Sequence, residues 1–333
     1  MAAAAGVSVT TVSNALNGKG RLQESTRAHV RETALRLGYR PNPSAQRLVG
    51  GRTGLLGLIV ARQGAGSLST ITQTPYFVEL LAAASTAALG HGYALVMSAS
   101  STDGVEPWQQ TPLDGAVVVD PVAHDPTATY LRARGTPVVT TGRIPGATDN
   151  GHRVDNDHVA ATRGLLDHLH GRGARRIALI TAELQTSYVL DVDEAYAGWC
   201  AESGMAPMRE AVSEDLGETA GFDAATRLLT GPTPPDAILA VFERLAPGAA
   251  LAANSLERRV PEDVMIAGYT DSVANLRACP ELTALDLHPD RIGTEAVAAL
   301  VRLIEGEAPE TQDVLVETGL IARASTAPVR AEA

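Results

Sequence analysis

The sequence AGVSVTTVSNALN, at residues 5–17, carries the clearest structural signal in the chain. Gly6 offers a turn, and Ser8 is suited to cap a helix that we expect from about residue 9 to residue 16. Val12, Ala15 and Leu16 share one face of that helix and can enter a core. The outward positions are small or polar, namely Val9, Thr10, Ser13, Asn14 and Asn17. A short helix with such a face fits the major groove of DNA.

A second helical segment follows from about residue 26 to residue 37. Val30, Ala34 and Leu37 lie on one stripe, and Gly38 ends the segment. Further along, residues 42–50 show weak helical spacing before two consecutive glycines. This predicts a short element that ends in a hinge.

The charge is divided unevenly along the chain. Residues 1–54 contain eight lysines and arginines against two glutamates, a local charge of +6, whereas the whole chain carries −11. The remainder therefore carries −17. A basic end on an acidic body suits a protein that approaches phosphates with one surface only.

Length and composition indicate an ordinary water-soluble protein of two or three packed units. The 333 residues are 45% hydrophobic and 20% charged. Two cysteines are too few for a disulfide framework, and the first residues lack the pattern of a signal peptide. No apolar run approaches the ~18 residues of a membrane span. We therefore expect a cytoplasmic protein with no membrane segment.

From residue 55 onward, short apolar runs alternate with helical stretches. Such runs, separated by crossover helices, predict parallel sheets that are covered on both faces. There are too many for one small sheet, so we expect two doubly wound lobes with a cleft at the carboxyl ends of their strands. The expected strands are Leu55–Val60, Tyr93–Met97, Ala116–Val119, Val138–Thr141, Ile177–Thr181, Ile238–Val241 and Val264–Gly268.

These features together resemble the LacI family of bacterial regulators. The similarity begins in residues 5–17, continues through LGYRPN at 37–42 and reaches AQRL at 45–48. In the body it includes VPEDV at 260–264, PELT at 280–283 and RAST at 323–326. The resemblance implies a small all-α helix-turn-helix headpiece plus an α/β two-lobed body of the periplasmic-binding-protein type, with doubly wound parallel sheets.

The resemblance also implies domain boundaries. The headpiece would span 1–41, the hinge helix and linker 42–53, and the effector-binding and dimerisation body 54–330. Within the body, the N-lobe would comprise about 54–155 and 286–312, and the C-lobe about 156–285 and 313–330.

Two stretches depart from the family pattern. The chain opens on Met1 and four alanines where relatives have several more residues, so either the first helix is a stub or the true start lies upstream. Between Ser98 and Leu113, where relatives have a full crossover helix, Pro107 and Pro112 predict a short helix or none.

By the same resemblance, the recognition helix begins at Val9 and Thr10, and Asn14 reads a base edge. Relatives often have arginine at that position. Because arginine pairs best with guanine and asparagine with adenine, we expect an unusual operator half-site. Leu48 would wedge into the minor groove, or alternatively pack against the body. Implied phosphate contacts are Ser8, Thr11, Asn17, Arg21, Thr26, Tyr39 and Asn42, and the DNA-binding set is completed by Ser13, Ala45 and Arg47.

The effector cleft departs more strongly. The family's usual arginine, Asn-Asp pair and aspartate are replaced by Ala195, by Phe242-Glu243 and by Thr270 followed by Asp271. The remaining candidates are acidic and aromatic: Tyr76, Phe77, Asp155, Tyr188, Asp191, Glu194, Phe242, Glu243 and Asp271. The set would suit a sugar or polyol, a cationic ligand or a less hydroxylated molecule, although several members would alternatively be solvated or capping residues.

Three functions compete at this point. The first is a homodimeric, effector-responsive repressor of a palindromic operator. The second is a solute-binding module without DNA function, and the third is an enzyme. We expect no catalytic residues, metal or cofactor, because the histidines at 152, 158, 168 and 170 form a poor ligand set and Gly64-Ala65-Gly66 lacks the lysine of a phosphate loop.

Overall fold

The computed structural model describes residues 1–16, 20–39, 52–61, 74–99, 107–149, 151–184, 186–212, 217–307 and 311–328. By its internal contacts the chain divides into two compact units, Met1–Gly54 and Leu55–Ala333. The hinge expected at 42–50 lies outside the described residues.

The first unit is helical. Its helices are α1 (Ala2–Ala5), α2 (Val9–Leu16) and α3 (Glu24–Arg36). The bounds of α2 match the prediction, and α3 begins two residues earlier than expected. Gly6 ends α1 with a φ of +63°, a conformation that glycine adopts without strain, and so turns the chain toward α2.

The second unit contains two parallel sheets and a short antiparallel pair. The larger sheet has the strand order β11-β5-β4-β3-β1-β2, and the smaller has the order β7-β6-β8-β9. The strands are β1 (Leu55–Val60), β2 (Ala94–Ala99), β3 (Gly115–Val119), β4 (Val138–Thr141), β5 (His152–Asn156), β6 (Ile177–Ala182), β7 (Met208–Val212), β8 (Ala237–Ala240), β9 (Met265–Gly268), β10 (Ala284–Asp286), β11 (Asp313–Val316) and β12 (Gly319–Ile321), with β10 and β12 pairing antiparallel.

Helices connect these strands as crossovers. They are α4 (Pro75–Gly90), α5 (Pro126–Ala133), α6 (His158–Gly171), α7 (Ser187–Ser203), α8 (Glu218–Thr230), α9 (Leu245–Ser255), α10 (Val273–Arg277) and α11 (Pro289–Glu305).

Each sheet has a hydrophobic cluster on both faces, as the continuous apolar strands predicted. In β1, Leu56 and Leu58 point toward α4 and α11, whereas Ile59 points to the opposite face with α5. In β6, Leu179 packs toward α6 and α7, whereas Ile180 packs toward α8 and α9. The predicted two-lobed, doubly wound α/β body is confirmed.

The structure corrects one lobe assignment. The sequence placed residues 313–330 in the C-lobe, but β11 pairs in parallel with β5 in the six-stranded sheet, with Val314 opposite Val154. Strand β11 therefore belongs to the N-lobe. The sequence also failed to identify β5, because His152, Arg153 and Asp155 interrupt its apolar pattern.

The crossover between β2 and β3 contains a single four-residue 3₁₀ helix, Pro107–Gln110, within its described part. Trp108 in this segment is only 3% exposed and packs with Ile59 and Ala116. It contacts Tyr130 of α5 edge to face, with ring centroids 5.5 Å apart. One large side chain thus covers part of the sheet face.

Helices α8 and α9 cross at two glycines. A Cβ atom on Gly248 would lie 2.1 Å from the carbonyl oxygen of Glu218, and one on Gly221 would lie 2.3 Å from that of Leu245. No side chain fits at such distances, so the two backbones are in direct contact. This crossing fixes the start of α9, which begins two residues after Glu243.

Candidate functional sites

The helical unit is organised around a small core. Ala5, Val12, Ala15 and Val30 are buried together, with Leu16 packed at the edge of the cluster. The face of α2 that the sequence assigned to the core is therefore the buried one.

The opposite face of α2 is exposed and small. Val9 is 76% exposed, and Ser8, Thr10 and Ser13 are exposed as well. The Ser8 hydroxyl accepts a hydrogen bond from the Thr11 backbone N–H at 3.1 Å, which confirms its predicted role as the N-cap. This face has no large side chain that would keep it away from a groove.

Asn14 has a more constrained position than the other outward residues. It is half-buried, and its Nδ2 would lie 3.1 Å from a Cβ atom on Gly20. Gly20 has a φ of +71°, and its carbonyl accepts a hydrogen bond from Arg27 at 2.7 Å. The side chain therefore rests on a loop that is held in place, and its role as a base reader stays a prediction.

The other expected DNA contacts divide into two groups. Arg21 and Tyr39 are exposed, and Thr26 is half-buried in the first turn of α3. The remaining residues lie outside the described part of the chain: Asn17, Asn42, Ala45, Arg47 and Leu48.

In the body, five of the expected effector residues come together where the two lobes meet. We call this set the inter-lobe cluster, and it consists of Tyr76, Asp155, Tyr188, Phe242 and Glu243. Tyr76 lies in the first turn of α4 and packs against the core of the C-lobe. Asp155 is the penultimate residue of β5, and Glu243 follows β8, so both lie at carboxyl ends of parallel strands.

Asp155 is held by a buried network. Its Oδ1 accepts a hydrogen bond from the Asn156 N–H at 2.9 Å and lies 3.2 Å from His158 Nε2. The other ring nitrogen of His158 is 3.0 Å from the Tyr269 hydroxyl. Because these partners orient the carboxylate, Asp155 is a fixed acceptor rather than a solvated side chain.

Aromatic rings form one wall of the cluster. The Tyr188 ring lies 5.4 Å from the Phe242 ring and 5.3 Å from the His158 ring. Its hydroxyl donates to the Val241 carbonyl at 3.3 Å. Tyr188 is thereby fixed across the end of β8.

Glu243 is the most unusual member of the cluster. It is 7% exposed, and burial raises the pKa of its carboxyl group to about 7, although a hydrogen bond from the Tyr76 N–H acts in the opposite direction. Among the described residues, nothing hydrogen-bonds to its Oε2. Burial, with the nearby Asp120 and Asp155 carboxylates, also raises the pKa of the Tyr76 hydroxyl well above its ordinary value.

Two arginines that the sequence analysis did not select pair with carboxylates near the cluster. Arg143, just after β4 of the N-lobe, binds Asp191 on α7 of the C-lobe. Arg323 binds both oxygens of Asp271 at 2.7 Å. Burial raises the pKa of Asp271, but these hydrogen bonds outweigh it and lower the pKa below its ordinary value. The position of Arg143 at the end of a predicted strand was a usable signal.

The remaining expected effector residues stand apart. Phe77 packs against the N-lobe core and the Tyr76 ring, and Glu194 is exposed on α7. Ala195 is buried in the C-lobe core, so its position contributes no polar group.

The described residues contain neither a metal-binding group nor a membrane-spanning helix. Among the described residues, no three His, Cys, Asp or Glu side chains are grouped so that they could hold a metal ion. The helices in this part of the chain are also too short or too polar to cross a bilayer.

Parts of both units match known protein families. Residues 1–42 match the model of bacterial regulatory proteins of the lacI family, and residues 166–326 match a periplasmic binding protein-like domain. The chain is 31% identical to the HTH-type transcriptional regulator AglR of Rhizobium meliloti, over 97% of this chain and 92% of that protein. It is 28% identical to the regulator CelR of Thermobifida fusca, over 98% and 96%.

Solved structures agree with these matches. A CelR–cellobiose complex superposes with a TM-score of 0.73 at 27% identity, covering 97% of this chain and 98% of that one. A lac repressor dimer bound to operator and the anti-inducer ONPF gives a TM-score of 0.83 at 24% identity, covering 98% and 97%. The latter likeness concerns the fold.

Proposed function

Because the chain belongs to the LacI family of bacterial regulatory proteins and is a DNA-binding transcriptional regulator, we propose that it represses transcription by binding a palindromic operator as a homodimer under effector control. The observation that carries the proposal is the exposed, small-residue face of α2, capped by Ser8, in the basic end of the chain. A helix of this kind enters the major groove with its first turns.

The headpiece contacts fall into two classes. Ser8, Thr11, Arg21, Thr26 and Tyr39 bind phosphates and fix the register, together with Asn17 and Asn42. Sequence is read by the residues on the outer face of α2, namely Val9, Thr10, Ser13 and Asn14. Ala45, Arg47 and Leu48 form the hinge contact, with Leu48 inserted into the minor groove of the central base step.

The domain organisation follows from this division. We assign 1–41 to the headpiece, 42–53 to the hinge and 54–330 to the effector-binding and dimerisation body. Within the body, residues 313–316 go to the N-lobe because β11 pairs with β5.

The inter-lobe cluster is the effector site of this proposal. Tyr76 comes from the N-lobe and Glu243 from the C-lobe, and a hydrogen bond joins them. A ligand that bridges them favours the closed arrangement of the lobes by its differential affinity for that arrangement. In CelR, the solved complex contains cellobiose. We propose a small organic effector at the corresponding place in this chain.

Other functions are less well supported. The match of residues 1–42 to the lacI regulators disfavours a solute-binding module without DNA function. The relatives are transcriptional regulators, and we propose that this chain likewise has no enzymatic activity and acts in the cytoplasm, where the DNA is.

The proposal is tested by selecting duplexes from a random-sequence pool with the full chain. We expect an enriched palindrome whose affinity falls steeply with salt, because released counterions accompany each phosphate contact. Thr10→Ala should weaken binding to the enriched site more than to random DNA, whereas Glu257→Gln, an exposed change in the body, should leave both unchanged. A pool that yields no symmetric sequence would overturn the proposal.

A further inference from the structure

The inter-lobe cluster contains a buried carboxylate with unused hydrogen-bonding capacity. Glu243 is buried, with only 7% of its surface exposed, and its Oε2 has no hydrogen-bond partner among the described residues. Across the cleft, its carboxyl group accepts a hydrogen bond from the Tyr76 backbone N–H. A buried acceptor without a partner is unfavourable, and a hydrogen-bond donor from a ligand would remove this cost.

The charges around Glu243 indicate which kind of chemical group its carboxylate would bind. Burial raises the pKa of the Tyr76 hydroxyl, and Asp120 and Asp155 are close enough to raise it further, so two carboxylates lie near this side chain. In the described part of the chain, Arg143 already binds Asp191 and Arg323 already binds Asp271. His158 lies between Asp155 and the Tyr269 hydroxyl.

Among the described residues, a further cation, Arg244, lies near Glu243. Arg244 acts to lower the pKa of Glu243, but its side chain is exposed and lies against Gly217, 3.3 Å from a Cβ atom built there. Arg244 does not hydrogen-bond to Oε2. The described side chains thus provide acceptors and few donors.

The surroundings of Glu243 favour an organic cation over a metal ion. No three acidic or histidine side chains of the described residues are grouped closely enough to coordinate a metal ion. The walls next to Glu243 are the rings of Tyr188 and Phe242, which lie 5.4 Å apart and close to perpendicular, at 75°. Aromatic rings stabilise a nearby organic cation and cover its carbon skeleton.

We propose that the inter-lobe cluster binds an effector that presents a protonated amine to Glu243 and packs its carbon skeleton against Tyr76, Tyr188 and Phe242. This inference rests on the proposed role of the cluster as the effector site. It goes beyond that role by naming the charge and the functional group of the ligand. A neutral polyol would supply a hydroxyl donor, but it would leave the charge of the carboxylate uncompensated.

The proposed contact also couples binding to a proton. Without ligand, burial raises the pKa of Glu243 to about 7, so near neutral pH a fraction of the molecules is protonated there. A bound ammonium group favours the ionised carboxylate and lowers this pKa. Binding of an amine therefore releases protons near pH 7, whereas binding of a neutral polyol does not.

The test uses matched probes and the full chain. Glucamine is compared with sorbitol, and glucosamine with glucose, so that one ammonium group replaces one hydroxyl. Isothermal titration gives affinities, and repeating it in two buffers of different ionisation enthalpy gives the number of protons released. We expect at least one amine to bind about tenfold or more tighter than its hydroxyl partner, because a charge-assisted hydrogen bond is stronger than a neutral one.

Variants at Glu243 distinguish the effect of its charge on ligand binding from the effect of its size. Glu243→Gln keeps the size and removes the charge, so it should abolish both the amine preference and the proton release. Glu243→Asp keeps the charge and should retain the preference at weaker affinity. The matched control, Asp223→Asn, removes an exposed carboxylate on α8 and should change neither. Circular dichroism and operator binding of each variant show that it is folded.

Three results would overturn the inference: equal affinity of the two members in both pairs, an amine preference that survives Glu243→Gln, or no amine binding at millimolar concentration. None of these affects the operator selection, so they leave the proposed repressor function intact. Failure of the operator selection with a preserved amine preference would do the reverse.

Discussion

The crossing of α8 and α9 allows a quantitative test with a single methyl group. In Gly248→Ala, the new Cβ atom would lie 2.1 Å from the Glu218 carbonyl oxygen and 2.8 Å from the Phe222 nitrogen. Both contacts are with backbone atoms, which cannot rotate away. Since nonbonded carbon contacts are comfortable only near ~3.5 Å, the helices must separate by about 1 Å or more.

The magnitude follows from two opposing terms. Overpacking a core costs about 1–3 kcal/mol, and a clash between backbones should reach the upper end of that range. Alanine in place of glycine favours a helix by up to ~1 kcal/mol. We therefore expect Gly248→Ala to lower the free energy of unfolding of the body by about 2 kcal/mol.

A matched control, Gly164→Ala, should change the free energy of unfolding in the opposite direction. Gly164 is exposed on α6, and a Cβ atom built there would meet nothing within 4 Å. Gly164→Ala should therefore raise the free energy of unfolding by up to ~1 kcal/mol. The same chemical change thus has opposite effects at two helical positions, and only the contacts differ.

The assay is urea unfolding of the full chain, followed by far-UV circular dichroism, with thermal unfolding as a second measure. A loss of 2 kcal/mol corresponds to a fall in the melting temperature of roughly 4–8 °C for a domain of this size. The double variant Gly221→Ala/Gly248→Ala should lose less than the sum of the single losses, because one separation of the helices relieves both clashes. Strict additivity, or a Gly248→Ala protein as stable as the parent, would refute the reasoning.

Three further predictions concern the sites themselves. Ser8→Ala should cost the headpiece about 1 kcal/mol by removing the cap of α2, measured as a lower melting temperature of its helices, and an unchanged value would show that the cap is dispensable. Burial raises the folded-state pKa of Glu243 to about 7, so the contribution of this group to the free energy of unfolding should be greatest below pH 4.5. That free energy should fall by about 3 kcal/mol at most as the pH rises through 7. Glu243→Gln should flatten the dependence of stability on pH, and a dependence of the opposite sign would contradict the raised pKa. Asn14→Ala should relax base preference at one operator position by about 1–3 kcal/mol, whereas Arg21→Ala should weaken all sequences and reduce the salt slope by about 1; a guanine preference that persists without Asn14 would count against its role as a base reader.

Apolar runs were sufficient to locate most of the body. Strands β1 and β4 were predicted with their observed bounds, because each is a continuous aliphatic run buried on both faces. Strand β7 was missed, since its Arg209 and Glu210 are partly exposed at the edge of the smaller sheet. Polar residues in an edge strand remove the signal on which the sequence argument depends.

The candidate site could be predicted only where the family resemblance identified its residues. Asp155 was found in the family-like VDN at 154–156, and Glu243 stands in the place of the family's usual Asn-Asp pair. The pairing of Arg143 with Asp191 depends on two elements from different lobes, and no local pattern indicates it. Glu194 was selected for its charge, but it lies exposed on α7, one turn after the half-buried Asp191.

We propose that the headpiece reads a symmetric operator as a dimer. Fluorescence anisotropy of the full chain tests this on the selected palindrome and on the same duplex with one half-site scrambled, over a range of salt concentrations. We expect two protomers per intact duplex, an affinity loss of about 10³-fold or more on scrambling, and a salt slope of roughly −0.9 per phosphate contact. Equal affinity for the two duplexes, with one protomer bound to each, would contradict it.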